Sequence, residues 1–145
     1  MKKVEVSIPI AVLPEKVIDA FTEFDLLKGW WGVERCLVEK RPSGNYALTW
    51  GITENGFQYV SSGVVKDYQP GQLLVVDHMC YFNPERPILG GMSLTVKVTP
   101  KEDGCLLNVC QDGYQTGADW DWYYEAVRTA WPQALQHLKT FLEKK

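Results

Sequence analysis

Residues 120–142, WDWYYEAVRTAWPQALQHLKTFL, are the stretch of sequence on which the fold depends. Apolar residues recur in it every three or four positions, at Trp120, Tyr124, Val127, Trp131, Leu135, Leu138 and Leu142. This spacing predicts a long amphipathic helix that buries one stripe of side chains. Pro132 removes one backbone hydrogen bond inside the pattern, so we also expect a kink or a break near Ala130-Trp131.

Upstream of this helix, residues from Val33 to about Asp112 follow a period of two. The clearest segment alternates apolar and polar residues from Met92 to Thr99, which indicates a strand with one face in water. Asn55-Gly56 and Asp103-Gly104 are typical of tight hairpins, because the turns that match strand twist require positive φ. This part of the chain therefore predicts about six consecutive antiparallel strands.

The N-terminal part adds one strand and two short helices. Apolar residues alternate from Val4 to Ile10, Pro14 begins the first helix, and Asp25 caps a second helix that Gly29 ends before Trp30-Trp31. The predicted fold class is α+β, with one domain over residues 1–145. It consists of a curved antiparallel sheet of about seven strands, two short helices, and one long helix along the concave face. Such an arrangement often encloses a hollow.

Composition limits the classes of function. The chain has 145 residues, a net charge of −3, and hydrophobic and charged shares of 46% and 23%, as in ordinary globular domains. It lacks a Lys/Arg cluster, which argues against a nucleic-acid partner. Its four cysteines lack metal-ligand spacing, so no metal or other cofactor is expected. No apolar run is long enough for a signal core or a membrane span, which predicts a soluble, cytoplasmic protein.

Four stretches carry a resemblance to a known family: residues 14–22, Trp30-Trp31, residues 63–73 and residues 131–139. In their order and spacing the whole chain resembles the START-like helix-grip superfamily (SRPBCC, Bet-v-like). Within it, the chain resembles the branch of homologues of the activator of the heat-shock-protein-90 ATPase. It differs from the family pattern at Thr129-Ala130, where two glycines are usual, and at Gln111, where a His often stands. The resemblance implies an apolar or amphipathic ligand between sheet and C-terminal helix. Some relatives are polyketide cyclases or aromatases.

Aromatic side chains are the main candidates for lining such a hollow. Six Trp, seven Tyr and five Phe supply much ring surface, and a ring-lined hollow with hydroxyl tips suits a planar apolar ligand. Of the Trp30-Trp31 pair, we expect one ring to anchor the helices and the other to line the pocket mouth. The alternative is that these rings simply fill the core. The candidates are Trp30, Trp31, Tyr46, Trp50, Tyr59, Trp120, Tyr124 and Trp131.

Polar residues interrupt two of the apolar strands. Asp77 and His78 lie within residues 73–80, and since adjacent strand residues point to opposite faces, we expect one of them to point inward. An inward His78 would orient a ligand or act as a base, and its alternative is a hydrogen-bonded structural histidine. Gln111 shares the parity of Leu107 and Val109, which predicts a buried amide that needs a partner from protein or ligand.

Charged residues give weaker signals. Asp119, Asp121 and Glu125 lie at the start of the last helix, where acidic residues favour the helix dipole rather than a metal site. Arg86 is either a solvated surface residue or a candidate for receiving a ligand carboxylate. No nucleophile, metal or nucleotide motif is visible.

We therefore predict that the protein binds a small hydrophobic or aromatic molecule without turning it over. The first alternative is an enzyme of the cyclase or aromatase kind, in which His78, Tyr59 and Arg86 polarise a poly-carbonyl substrate. The second is a homodimeric interaction protein, which forms its dimer through an exposed Trp30-Trp31 edge or through a pairing of sheets.

Overall fold

Seven antiparallel strands form one curved sheet, and three helices cover one of its faces. The structure is a computed structural model that describes residues 2–144. Its elements in chain order are β1 (Lys3–Ile10), α1 (Pro14–Ala20), α2 (Phe24–Trp31), β2 (Arg35–Val38), β3 (Asn45–Thr53), β4 (Gly56–Gln69), β5 (Leu73–Phe82), β6 (Leu89–Lys101), β7 (Gly104–Asp112) and α3 (Ala118–Glu143). The α+β fold class predicted from sequence is confirmed.

The order of strands in the sheet is β1-β7-β6-β5-β4-β3-β2. Strands β2 to β7 are joined as successive hairpins, and β1 pairs with β7, where Val6 lies opposite Val109. The chain thus begins at one edge of the sheet, crosses to the other edge through α1 and α2, and returns strand by strand. Helix α3 then packs against β1 and α2 on the same face of the sheet.

The buried face of the sheet follows the alternation in the sequence. Leu94, Val96 and Val98 of β6 and Leu107 and Val109 of β7 are each at most 4% exposed. Their neighbours point to the solvent side, because successive strand residues alternate between faces. The helices pack on the apolar face, so the protein core lies between sheet and helices.

The boundaries of α2 differ from the expectation at both ends. The helix begins at Phe24 with Glu23 at the N-cap position, so Asp25 lies in its first turn and the prediction that Asp25 caps the helix is wrong. Helix α2 runs through Gly29 and ends only at Gly32, which adopts the left-handed conformation at φ 71°. The prediction that Gly29 ends this helix is wrong. Gly29 lies against the Phe141 ring, which occupies the place of any added Cβ, so this glycine permits the close approach of α2 and α3.

Helix α3 continues from Ala118 to Glu143 across Pro132. The expected division into two segments near Ala130-Trp131 is therefore absent. Burial on both sides of the proline explains the continuity, since Trp131 is 6% exposed and Leu135 is fully buried. The packing of these side chains outweighs the one backbone hydrogen bond that proline cannot make. Within residues 2–144 no helix is both long and apolar enough to cross a membrane.

The two predicted hairpins provide a matched test of the fold. Gly56 and Gly104 each begin the second strand of a hairpin, at φ 109° and 140°. An added Cβ at Gly56 meets open space, whereas one at Gly104 collides with the Ile10 carbonyl and lies 2.8 Å from Ala11 Cα. Gly56→Ala should cost about 1–2 kcal/mol of folding free energy from backbone strain alone.

Gly104→Ala should cost about 1–3 kcal/mol more, because the β1 backbone cannot move aside. Urea denaturation of the two variants and the parent measures the difference. Equal losses of stability would contradict the placement of the β6–β7 turn against the end of β1.

Candidate functional site

A cavity of about 280 Å³ lies between the sheet and residues 122–134 of α3. Its walls come from α2, from strands β3 to β7 and from α3, and none of the lining side chains carries a charge. The lining residues are Trp31, Tyr46, Leu48, Trp50, Tyr59, Ser61, Met79, Tyr81, Leu94, Gln111, Trp122, Tyr123, Ala126, Val127, Ala130, Trp131 and Ala134. The arrangement suits an uncharged ligand, because a buried charge without a partner is costly.

Small side chains on α3 leave this space open. Ala126, Ala130 and Ala134 lie four residues apart and therefore share one face of the helix, towards the cavity. Ala126 and Ala130 are also exposed to solvent, which places the cavity mouth beside them. Trp122 and Trp131 flank these alanines on the same helix and form larger walls.

The Trp31 ring connects three elements around the cavity. Its centroid lies 5.3 Å from that of Trp50 on β3 and 5.3 Å from that of Trp131 on α3. Trp30 stacks against it at 4.8 Å but does not line the cavity, and its Nε1 donates a hydrogen bond of 2.7 Å to the Ala20 carbonyl. Trp30 thus holds α1 against α2, while Trp31 faces the cavity.

Three aromatic residues of the sheet lie where the sequence places them, on the cavity side. Tyr46 is fully buried and its hydroxyl donates to the Phe21 carbonyl at 2.8 Å. Trp50 Nε1 donates to the Trp31 carbonyl at 3.0 Å. Tyr59 is 41% exposed and its ring stacks near that of Tyr81 at 6.5 Å, so these two rings border the mouth.

Gln111 forms the polar centre of the inner wall. Its Oε1 accepts a hydrogen bond of 3.0 Å from Trp131 Nε1, and its Nε2 donates to the Tyr123 hydroxyl at 3.1 Å and lies 3.5 Å from Met92 Sδ. The buried amide expected from parity is present, with protein partners. Burial raises the pKa of Tyr123 to about 12, and the hydrogen bond from Gln111 partly opposes this rise.

His78 does not face the cavity, so the expectation that either Asp77 or His78 points inward is wrong. A β-bulge explains the error: Val76 pairs with Leu94 and Met79 with Met92, so β5 has one extra residue. His78 adopts φ 52° and is exposed, and Asp77 bonds to Ser93 on the outer face of the sheet. The alternation of faces restarts after the bulge with Met79 inward.

Trp120 and Tyr124 are likewise absent from the cavity wall. Their rings pack on Tyr114 instead, with centroids at 6.4 and 5.1 Å. The first turns of α3 contain so many apolar residues that two stripes fit the helical period, and the inward one passes through Tyr123 rather than Tyr124. Sequence reasoning therefore missed Trp122 and Tyr123.

Other lining residues also escaped sequence reasoning. The three alanines of α3 carry a detectable signal, since they repeat every fourth residue, but small residues at that spacing equally suit close helix packing. Tyr81 and Met79 lie on β5 beyond the bulge, and their inward direction follows only once the extra residue is known.

The charged candidates are engaged elsewhere. Arg86 Nη1 lies 3.2 Å from Asp119 Oδ1, and its guanidinium lies 4.0 Å above the Trp122 ring. It therefore fastens the loop after β5 to α3 at the edge of the cavity. Asp121 pairs with Lys2 and Glu125 with Arg128. Across residues 2–144, no three His, Cys, Asp or Glu side chains cluster in a way that could hold a metal ion.

A curved antiparallel sheet that grips a long helix over an apolar cavity defines a helix-grip protein. Residues 11–143 match the family described as "Activator of Hsp90 ATPase homolog 1-like protein", and the chain belongs to that family. The predicted resemblance is thereby confirmed. No curated protein matches the chain.

Solved structures share the fold at low sequence identity. A crystal structure from Mesorhizobium loti has a TM-score of 0.78 at 20% identity and covers 99% of this chain and 98% of that chain. The solution structure of the Aha1 dimer from Colwellia psychrerythraea has a TM-score of 0.71 at 19% identity, and the match covers 99% of this chain and 98% of that chain. The crystal structure of DynU16, a protein of the dynemicin biosynthetic locus, has a TM-score of 0.77 at 12% identity. That match covers 99% of this chain but only 48% of the DynU16 chain.

The raised pKa of Tyr123 makes stability depend on pH. An unfolded tyrosine loses its proton near pH 10, whereas folded Tyr123 keeps its proton until about pH 12. The free energy of unfolding should therefore fall between these values. In Tyr123→Phe the fall between pH 8 and 11 should be smaller by about 1.4 kcal/mol.

Urea denaturation of both proteins at pH 8 and 11 measures this difference. The same loss of stability in parent and variant would contradict the burial of the Tyr123 hydroxyl.

Proposed function

We propose that this protein binds a neutral, mainly apolar small molecule in the cavity between the sheet and α3. The main support for the proposal is a cavity of about 280 Å³ lined mostly by aromatic and aliphatic side chains, with the uncharged polar residues Ser61 and Gln111 and no charged group. Known small-molecule sites are concave and mostly apolar, with a few polar groups that fix orientation. The family and the helix-grip fold of this chain are consistent with either ligand binding or a cyclase-like activity.

The volume limits the ligand. An apolar cavity of roughly 150 Å³ holds one benzene molecule, so this cavity has room for about two fused rings. The rings of Trp31 and Trp50 line that space and can contact an aromatic ligand. The mouth beside Ala126 and Ala130 gives access from solvent.

The cyclase alternative loses two of its three groups. His78 lies on the outer face, Arg86 is paired with Asp119 and covers Trp122, and only Tyr59 lines the cavity. The three groups that this alternative required therefore do not converge on the cavity.

The homodimer alternative loses its exposed Trp30-Trp31 edge, since Trp30 is 5% exposed and Trp31 is half-buried. A homodimer of another kind stays a prediction, for sedimentation to test.

A matched pair of substitutions on α3 tests the proposed site. Ala130 lines the cavity, and its neighbour Thr129 is exposed and does not. Ala130→Phe places a ring in the space and should weaken binding of 2-naphthol, a neutral fluorescent bicyclic probe, by tenfold or more. Thr129→Phe adds the same ring outside the cavity and should change the affinity less than twofold.

Fluorescence anisotropy of 2-naphthol at pH 7 measures both affinities, and circular dichroism checks that both variants fold. Parent protein that fails to bind the probe, or equal affinities in the two variants, would remove the cavity as the binding site.

A further inference from the structure

Directional hydrogen bonds in the inner wall of the cavity specify what the ligand must carry. We infer that Tyr123 donates its hydroxyl proton into the cavity, and that the ligand presents a neutral oxygen acceptor, such as a carbonyl or ether, to receive it. This inference rests on the proposed function. It deepens that proposal by separating oxygen-bearing ligands from hydrocarbons of the same shape.

The argument begins at Trp131. An indole N–H can only donate a hydrogen bond, so the Gln111 atom 3.0 Å from Trp131 Nε1 must be the amide oxygen. The orientation of the Gln111 side chain is thereby determined. The amide nitrogen then faces Tyr123, with a donor–acceptor distance of 3.1 Å.

The direction of the next hydrogen bond follows. An amide NH₂ group can only donate, so the Tyr123 oxygen accepts from Gln111. Its own proton must therefore be directed elsewhere. Within residues 2–144, no acceptor receives a hydrogen bond from the Tyr123 hydroxyl. Tyr123 is 8% exposed and lines the cavity, so its proton is available to a ligand there.

Burial of the Tyr123 hydroxyl makes a ligand acceptor favourable. A buried hydroxyl donor without an acceptor lowers the stability of the protein, and a ligand oxygen would recover that loss on binding. A tyrosine hydroxyl keeps its proton at neutral pH even at its ordinary pKa of about 10, and burial raises the pKa of Tyr123 further, to about 12. Donation from Gln111 also polarises the hydroxyl, which strengthens the bond that it donates.

The position of the donor orients the ligand. Gln111, Tyr123 and Trp131 are each at most 8% exposed, whereas Tyr59 at the mouth is 41% exposed. The acceptor oxygen therefore lies against the buried wall that Gln111, Tyr123 and Trp131 form. The hydrocarbon part of the ligand then lies between Trp31 and the alanines of α3.

Two probes of nearly equal shape test the inference. 1-Tetralone has a carbonyl oxygen, and tetralin is its hydrocarbon counterpart. Calorimetric titration should show that Tyr123→Phe weakens 1-tetralone about tenfold and changes tetralin less than twofold, because only the ketone loses a hydrogen bond. Tyr124→Phe is the matched control, since Tyr124 lies outside the cavity, and should leave both affinities unchanged.

An infrared measurement reports the hydrogen bond directly. The carbonyl stretch of 1-tetralone labelled with ¹³C at that carbon should be lower in the parent than in Tyr123→Phe, which lacks the hydroxyl donor. A frequency shared by the two proteins, or equal losses of affinity for both probes, would overturn this inference alone. If neither probe bound the parent, the proposed function would fail together with it.

Discussion

The structure depends on the separation of α3 from the sheet, which large side chains set at both ends of the cavity. At one end Leu135 and Leu138 of α3 are fully buried. At the other, the Tyr123 ring packs on Tyr81 at 4.8 Å. Protein interiors resist compression because they are densely packed, so these contacts keep α3 at a fixed distance. Between them the helix presents alanines, which are too small to fill the gap.

The polar groups of the inner wall depend on the same geometry. Gln111 comes from β7, and Trp131 and Tyr123 come from α3, so their hydrogen bonds join the sheet to the helix across the inner wall of the cavity. A buried amide that is satisfied on both sides stabilises one register of the helix against the strand. Two devices therefore act together: bulky contacts hold the gap open, and the amide fixes which side chains face it.

Much of the fold could be predicted because hydrophobic periodicity is a local signal. The alternation in β1 and β6 and the turn residues between strands predicted about seven strands, and the spacing after Trp120 predicted the long helix, as the structure has them. The errors arose where non-local packing decides. One extra residue in β5 turned His78 outward, and only its pairing with β6 reveals that bulge. In the first turns of α3 two apolar stripes were available, and contact with Tyr81 selected Tyr123.

Crystallography under xenon pressure tests the central claim most directly, since xenon enters apolar cavities that remain open. The account predicts xenon between Trp31 and Ala130, in a space bounded by Trp122 and Trp131. The side chains of Trp122 and Trp131 should keep the rotamers that they have without xenon. A crystal structure without xenon there, with Trp31 or Trp122 filling the space, would show that sheet and helix close upon each other and would contradict the account.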